Sequence, residues 1–96
     1  MDVNIQAINF DASEKLVAFV NKKVDRLVRH FPDITTAEVK LTVVKPESAM
    51  NKEAVINIHG PGNEFVATKV ADTFEEAVDL SLEAISKMAE KAKEKK

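Results

Sequence analysis

The spacing of apolar residues changes along this chain, and the order of the changes leaves few folds open. Val3, Ile5 and Ala7 fall on one side of an alternating stretch over residues 3–9, with Asn4, Gln6 and Ile8 largely on the other. That is the period-two signature of a strand with one covered face. From about Ser13 to His30 the spacing widens to three and four: Leu16, Val20, Val24, Leu27 and Phe31 line one side of a helix. Alternation then returns three times. Val39, Leu41 and Val43 face in across about Thr36 to Lys45, and Glu38, Lys40 and Thr42 face out. Ala54, Ile56 and Ile58 oppose Val55, Asn57 and His59 across about Lys52 to His59, and a fourth strand covers about Glu64 to Ala71. A last helical period runs through Phe74, Ala77, Val78, Ser81, Ile85, Met88 and Ala92.

The punctuation agrees. Asp11 with Glu14 fits a capping box, with Ser13 as a second N-cap candidate, and Pro32 stops the first helix. Residues 46–51 form a loop, Gly60-Pro61-Gly62-Asn63 is the clearest turn, and Asp72 to Glu75 opens the second helix at capping-box spacing. A helix between the first two strands implies a right-handed parallel crossover, and the short loops that follow imply an antiparallel meander. Each strand has one apolar face and each helix one apolar stripe. The economical packing is an α+β fold of order β-α-β-β-β-α: a four-stranded mixed sheet with both helices on one face.

Ninety-six residues with 45% hydrophobic content suit a single domain over 1–96, with a basic tail fraying from about residue 91. No apolar run approaches the roughly 20 residues needed to span a bilayer, and the start lacks the pattern of a signal peptide, so a cytoplasmic protein without membrane partners is expected. There is no Cys, and His30 and His59 are far apart, which makes a poor metal set. His30 suits the C-terminus of its helix and its dipole, or RNA contact, and His59 reads as a strand-end surface residue. The acidic start of the second helix reads as capping rather than as paired catalytic carboxylates, and the single Gly turn is too short for a phosphate loop. The five Phe read mainly as core and staple residues, with Phe19 between the apolar and basic faces of the first helix. Neither an enzyme, a cofactor nor a small-molecule substrate is expected.

Charge is the most informative remaining feature. The net charge is -2, yet residues 13–30 carry five basic residues against two acidic, and residues 72–96 carry five Lys against seven Asp and Glu. Lys15, Lys22, Arg26 and Arg29 fall within about 60° of one another on the first helix, roughly opposite its apolar residues. Such a stripe can grip a phosphate backbone or can be an ordinary solvated face.

Several short stretches carry a family resemblance when taken in order. They are Asn9-Phe10-Asp11 followed by Ser13-Glu14, Phe19-Val20-x-x-Lys23, Arg29-His30-Phe31, the Gly turn with its Ala-rich fourth strand, and Asp72-Thr73-Phe74-Glu75-Glu76-Ala77-Val78-Asp79. Together they resemble the ribosome hibernation promoting factors, also called ribosome-associated inhibitors or sigma-54 modulation proteins. The resemblance implies a fold similar to a double-stranded-RNA-binding domain with an added first strand. It implies binding to the small ribosomal subunit and its 16S rRNA in the decoding-side mRNA–tRNA channel. There the protein would inhibit translation by steric exclusion during stress or stationary phase, as a monomer off the ribosome. Lys22, Lys23, Arg26 and Arg29 fall where relatives carry a basic first helix, and Lys87, Lys91 and Lys93 where they carry a basic second half of the last helix. Ala84 and Glu90 stand where basic residues are common, and Glu76, Asp79, Glu83 and Glu90 form an acidic line. The chain ends soon after that helix, as the short form of the family does. The alternative from another class is a small protein-interaction module that modulates a transcription factor through its sheet or acidic helix face.

Overall fold

A computed structural model describes residues 2–8, 10–44 and 50–94, with Lys93 and Glu94 described in backbone only. The elements are β1 (Asp2–Ile8), α1 (Glu14–His30), β2 (Thr36–Val43), β3 (Lys52–Gly60), β4 (Asn63–Ala71) and α2 (Phe74–Glu94). They form one four-stranded mixed sheet in the order β1-β2-β3-β4. β1 pairs parallel to β2, from Asp2 opposite Thr36 to Ile8 opposite Thr42. β2, β3 and β4 follow as the expected antiparallel meander, with Val39 opposite Ile56 and Ile56 opposite Ala67. Asn9, Lys45 and the loop residues 46–49, assigned above to strand ends and loop, lie outside the described residues, as do Lys95 and Lys96.

Both helices cover the same sheet face. Leu16, Val20, Val24 and Leu27 of α1 and Phe74, Ala77, Val78, Leu82 and Ile85 of α2 join Ala37, Val39, Leu41, Ala54, Ile56 and Ile58 in one buried cluster. Phe10, just before α1, stacks on Phe74 at the start of α2, with ring centroids 4.5 Å apart and planes 12° from parallel. Both helices therefore begin at one end of the sheet and run side by side to the other, against the direction of β1, β2 and β4. Their C-terminal ends meet the Pro61-Gly62 turn at the far tip.

Helix boundaries follow local chemistry. Ser13, not Asp11, caps α1: its Oγ accepts from the Leu16 amide at 3.1 Å. Thr73 caps α2, accepting from the Glu76 amide at 3.1 Å. Asp72 is thereby freed from capping, and its Oδ1 accepts from the Met50 amide at 2.8 Å, anchoring the approach to β3. At the end of α1 the Phe31 amide donates to the Leu27 and Val28 carbonyls, and Pro32 offers no further donor.

Two sequence expectations need correction. Met88 does not join the buried line of α2 but is 37% exposed, and Leu82 and Ala89 are buried instead. α1 lies alongside α2, so the covered arc is rotated toward it; Leu82 lines the groove between the helices with Leu27 and Lys23. The four-residue turn is shorter than expected, because Gly60 and Asn63 still pair as strand residues. Only Pro61 and Gly62 remain, and Gly62 holds φ +73°, which with Pro before it is the residue order of a type II turn. Ser81 is the one buried polar residue among the described side chains, and its Oγ donates to the Ala54 carbonyl at 3.3 Å. Among the described residues no helix is long and apolar enough to cross a membrane.

Ile85 is fully buried whereas Met88 is not. Ile85→Ala should therefore lower unfolding free energy by about 3 kcal/mol, and Met88→Ala by less than about 1, in urea titrations followed by circular dichroism. Gly62→Ala should cost about 1 kcal/mol in the same assay from its backbone conformation alone, since a Cβ there meets nothing within 4 Å.

Candidate nucleic-acid interface

A phosphate-binding surface needs cations that are exposed and not already neutralised. α1 supplies them because its amphipathic period turns Leu16, Val20, Val24 and Leu27 to the core and leaves Lys15, Lys22, Arg26 and Arg29 in solvent. The basic residues named from the sequence differ in their engagement. Lys23 is half-buried; its Nζ lies 3.3 Å from Asp79 Oδ1 on α2 and 5.4 Å from the centre of the Phe19 ring. Lys23 thus ties the two helices together and covers Phe19. Arg29 pairs with Asp25 one turn back at 3.0 Å, with both side chains well exposed. Such a surface pair is worth under about 1 kcal/mol, so a phosphate can take its place. Lys22 and Arg26 are exposed and make no ion pair among the described residues.

The α2 lysines are set apart from this stripe. Lys87 pairs with Glu83 at 3.3 Å, the i,i+4 contact that their spacing allows. Lys91 is exposed, and the side chain of Lys93 lies outside the described residues. Asp79 and Glu83 line the groove between the helices with Lys23 and Arg26, so acidic groups stand between the α1 stripe and Lys87. The structure therefore gathers Lys22, Arg26 and Arg29 on one helix surface and does not join them to the α2 lysines.

The two histidines take different places. His30 is exposed in the last turn of α1, where a cation suits the dipole, but the closing hydrogen bonds come from the Phe31 amide. His59 sits between two carboxylates, with Nε2 3.3 Å from Glu38 and Nδ1 3.1 Å from Glu64, bracing β2, β3 and β4 on the outer sheet face. Sequence reading missed this bridge: Glu64 is opposite His59 only through the β3–β4 register, and Glu38 comes from another strand. Among the described residues no three His, Asp or Glu side chains converge as a metal set.

The whole chain has relatives. Residues 3–96 match the family described as Sigma 54 modulation protein / S30EA ribosomal protein. A ribosome hibernation promoting factor of Azotobacter vinelandii is 33% identical over 95 residues, covering 99% of this chain and 85% of that protein. A protein of the same name from Pseudomonas putida is 30% identical over 95 residues, covering 99% and 89%. In fold, the chain is similar to a ribosomal subunit interface protein from Coxiella burnetii, with a TM-score of 0.86 and 22% identity over 97% of this chain and 98% of that one. It is also similar to the N-terminal domain of Thermus thermophilus Protein Y, with a TM-score of 0.76 and 20% identity over 92% and 94%. With a match across both helices and all four strands, the chain belongs to the sigma 54 modulation protein / S30EA ribosomal protein family.

Proposed function

We propose that this protein is a ribosome hibernation factor that acts as a single domain, binds the small ribosomal subunit in the mRNA–tRNA channel and inhibits translation by occupying that space. The observation that carries the reading is the outer surface of α1. In a chain of net charge -2, Lys22 and Arg26 stand exposed without a carboxylate partner among the described residues, and Arg29 beside them is held by a surface pair. RNA duplexes are recognised largely by shape and backbone, so a rigid basic helix face is sufficient to position the protein on 16S rRNA. The rest of the mechanism is steric: a packed domain excludes mRNA, tRNA or initiation factors without bond-making chemistry. It would work in the cytoplasm during stress or stationary phase, as a monomer when off the ribosome. The names of its relatives from Azotobacter vinelandii and Pseudomonas putida support the same reading.

On this reading α1 carries most of the grip. Lys22, Arg26 and Arg29 contact phosphates; Lys23 positions α1 against α2 and contributes less charge. Lys91, with Lys87 and Lys93, adds a second and weaker contact, because Glu83 already holds Lys87. The protein-docking alternative would instead use the outer sheet face, where Val66 and Val70 are exposed.

Purified ribosomes should carry the protein into the pellet at low salt and release it as salt rises, since each phosphate contact contributes about one unit to the log–log salt slope. Absence from the pellet at low salt would sink the ribosomal reading. Lys22→Glu with Arg26→Glu should weaken ribosome binding at least about tenfold and flatten the salt slope by about two, with the melting temperature nearly unchanged because both residues are exposed. Unchanged affinity would leave the stripe a solvated face and favour the sheet.

A further inference from the structure

The tip where both helices end holds a cavity that the α1 stripe does not account for. It measures about 140 Å³ and lies between the end of α1, the β3–β4 turn and the last turns of α2. It is lined by the buried Ile34, Ile58 and Ala89 and by the half-buried Phe31 and Phe65. An apolar cavity of about 150 Å³ accepts one benzene, so this one has room for a single ring.

Its walls are braced by backbone contacts. The Ile34 amide donates to the Phe31 carbonyl at 3.1 Å, closing the turn after α1, and the Thr35 amide donates to the His59 carbonyl at 2.8 Å. The Asp33 carbonyl oxygen would lie 3.1 Å from a Cβ at Gly60, a tight contact, so a larger residue there would push the two turns apart by a few tenths of an ångström. The rim is polar, with exposed Asp33 and Asn63.

His30 lines this cavity and also the groove between the helices, where Arg26 lies one helical turn back. In that groove Asp79 is engaged by Lys23, and Glu83 by Lys87. Arg26, which makes no ion pair among the described residues, can attract an anion there. A cavity with room for one ring, hydrogen-bonding groups at its rim and, a turn away, a guanidinium without an ion pair among the described residues together match the parts of one nucleotide. Single-stranded RNA bases are received in this way, on aromatic side chains with polar groups reading the base edge.

We propose that the tip cavity takes one unpaired RNA base carrying an exocyclic amino group, which donates to the Asp33 carboxylate while the adjoining phosphate lies against Arg26. This rests on the reading of the chain as an RNA binder and extends it, from backbone gripping by α1 to capture of a flipped-out base.

The test is a methyl and amide NMR titration of the full chain with four separate probes at millimolar concentration: cytidine monophosphate, uridine monophosphate, ribose 5-phosphate and N-acetylphenylalaninamide. Signals of Ile58, Gly60 and Ala89 should shift saturably with cytidine monophosphate, at least threefold less with uridine monophosphate, and not at all with ribose 5-phosphate. Ala92→Phe, which fills the cavity from α2, should abolish the shifts. Asp33→Ala, at an exposed turn position that leaves the core untouched, should make the two nucleotides equal. Tip signals that stay still, or that follow ribose 5-phosphate equally, overturn the proposal. A stronger response to N-acetylphenylalaninamide also overturns it and gives the cavity to an aromatic side chain of a protein. No ribosome is present in the titration. Tip shifts without ribosome binding would therefore overturn the ribosomal reading alone, and ribosome binding without tip shifts would overturn the base site alone.

Discussion

Everything in this structure depends on covering one apolar sheet face with two helices that each have only one apolar arc. Val39, Leu41, Ile56 and Ile58 are almost completely removed from water, and neither helix alone is wide enough to do that. Burial of such side chains contributes about 1.5–3 kcal/mol each before entropy is counted, so leaving either half of the sheet bare would be costly. α2 lies over β3 and β4, and α1 completes the cover toward β1. Once both arcs point inward, the opposite side of each helix is committed to solvent, and the charges written there become the surface of the protein.

How those charges are partnered then matters more than how many there are. Each helix carries both signs, and the packing uses some of them up. Asp79 reaches across to Lys23, Asp25 folds back on Arg29, and Glu83 on Lys87. What remains is a small positive area on α1 in a chain of overall negative charge. A field of that kind orients an approaching polyanion without binding it everywhere, which favours one docking direction over general adhesion.

Much of this was legible in the sequence. Period-two alternation in β2 and β3 identified Val39, Leu41, Ala54, Ile56 and Ile58 as inward-facing, because a sheet with one covered face leaves no freedom in that assignment. The α1 stripe could be read because Lys22, Arg26 and Arg29 lie opposite a strong apolar arc. The misplacement of Met88 has a physical cause: a helical period gives the direction of the apolar arc, while the neighbouring helix decides its edges. The choice of Ser13 over Asp11 and of Thr73 over Asp72 was not legible, since caps one or two residues apart satisfy the same spacing rule. The His59 bridge and the tip cavity depend on strand register and on two turns meeting, relations between distant segments that no local pattern encodes. The partnering of Lys23 belongs to the same class.

The parallel pairing of β1 with β2 has a consequence for how the molecule comes apart. Residues 36–71 form a meander from neighbours in sequence, and α2 follows directly onto it, so that unit closes through short loops. β1 can join only after the chain has crossed the whole of α1, which makes its pairing the most remote in sequence of the three strand pairings and sets it later than the meander. β1 is also an edge, paired on one side only. Partial opening of the native state should therefore release β1 and α1 together while the meander and α2 persist. On that order of opening, the helix that presents the basic stripe would leave the fold together with its edge strand. Any partner that grips α1 closes that opening route, and binding is then coupled to the lifetime of the native state.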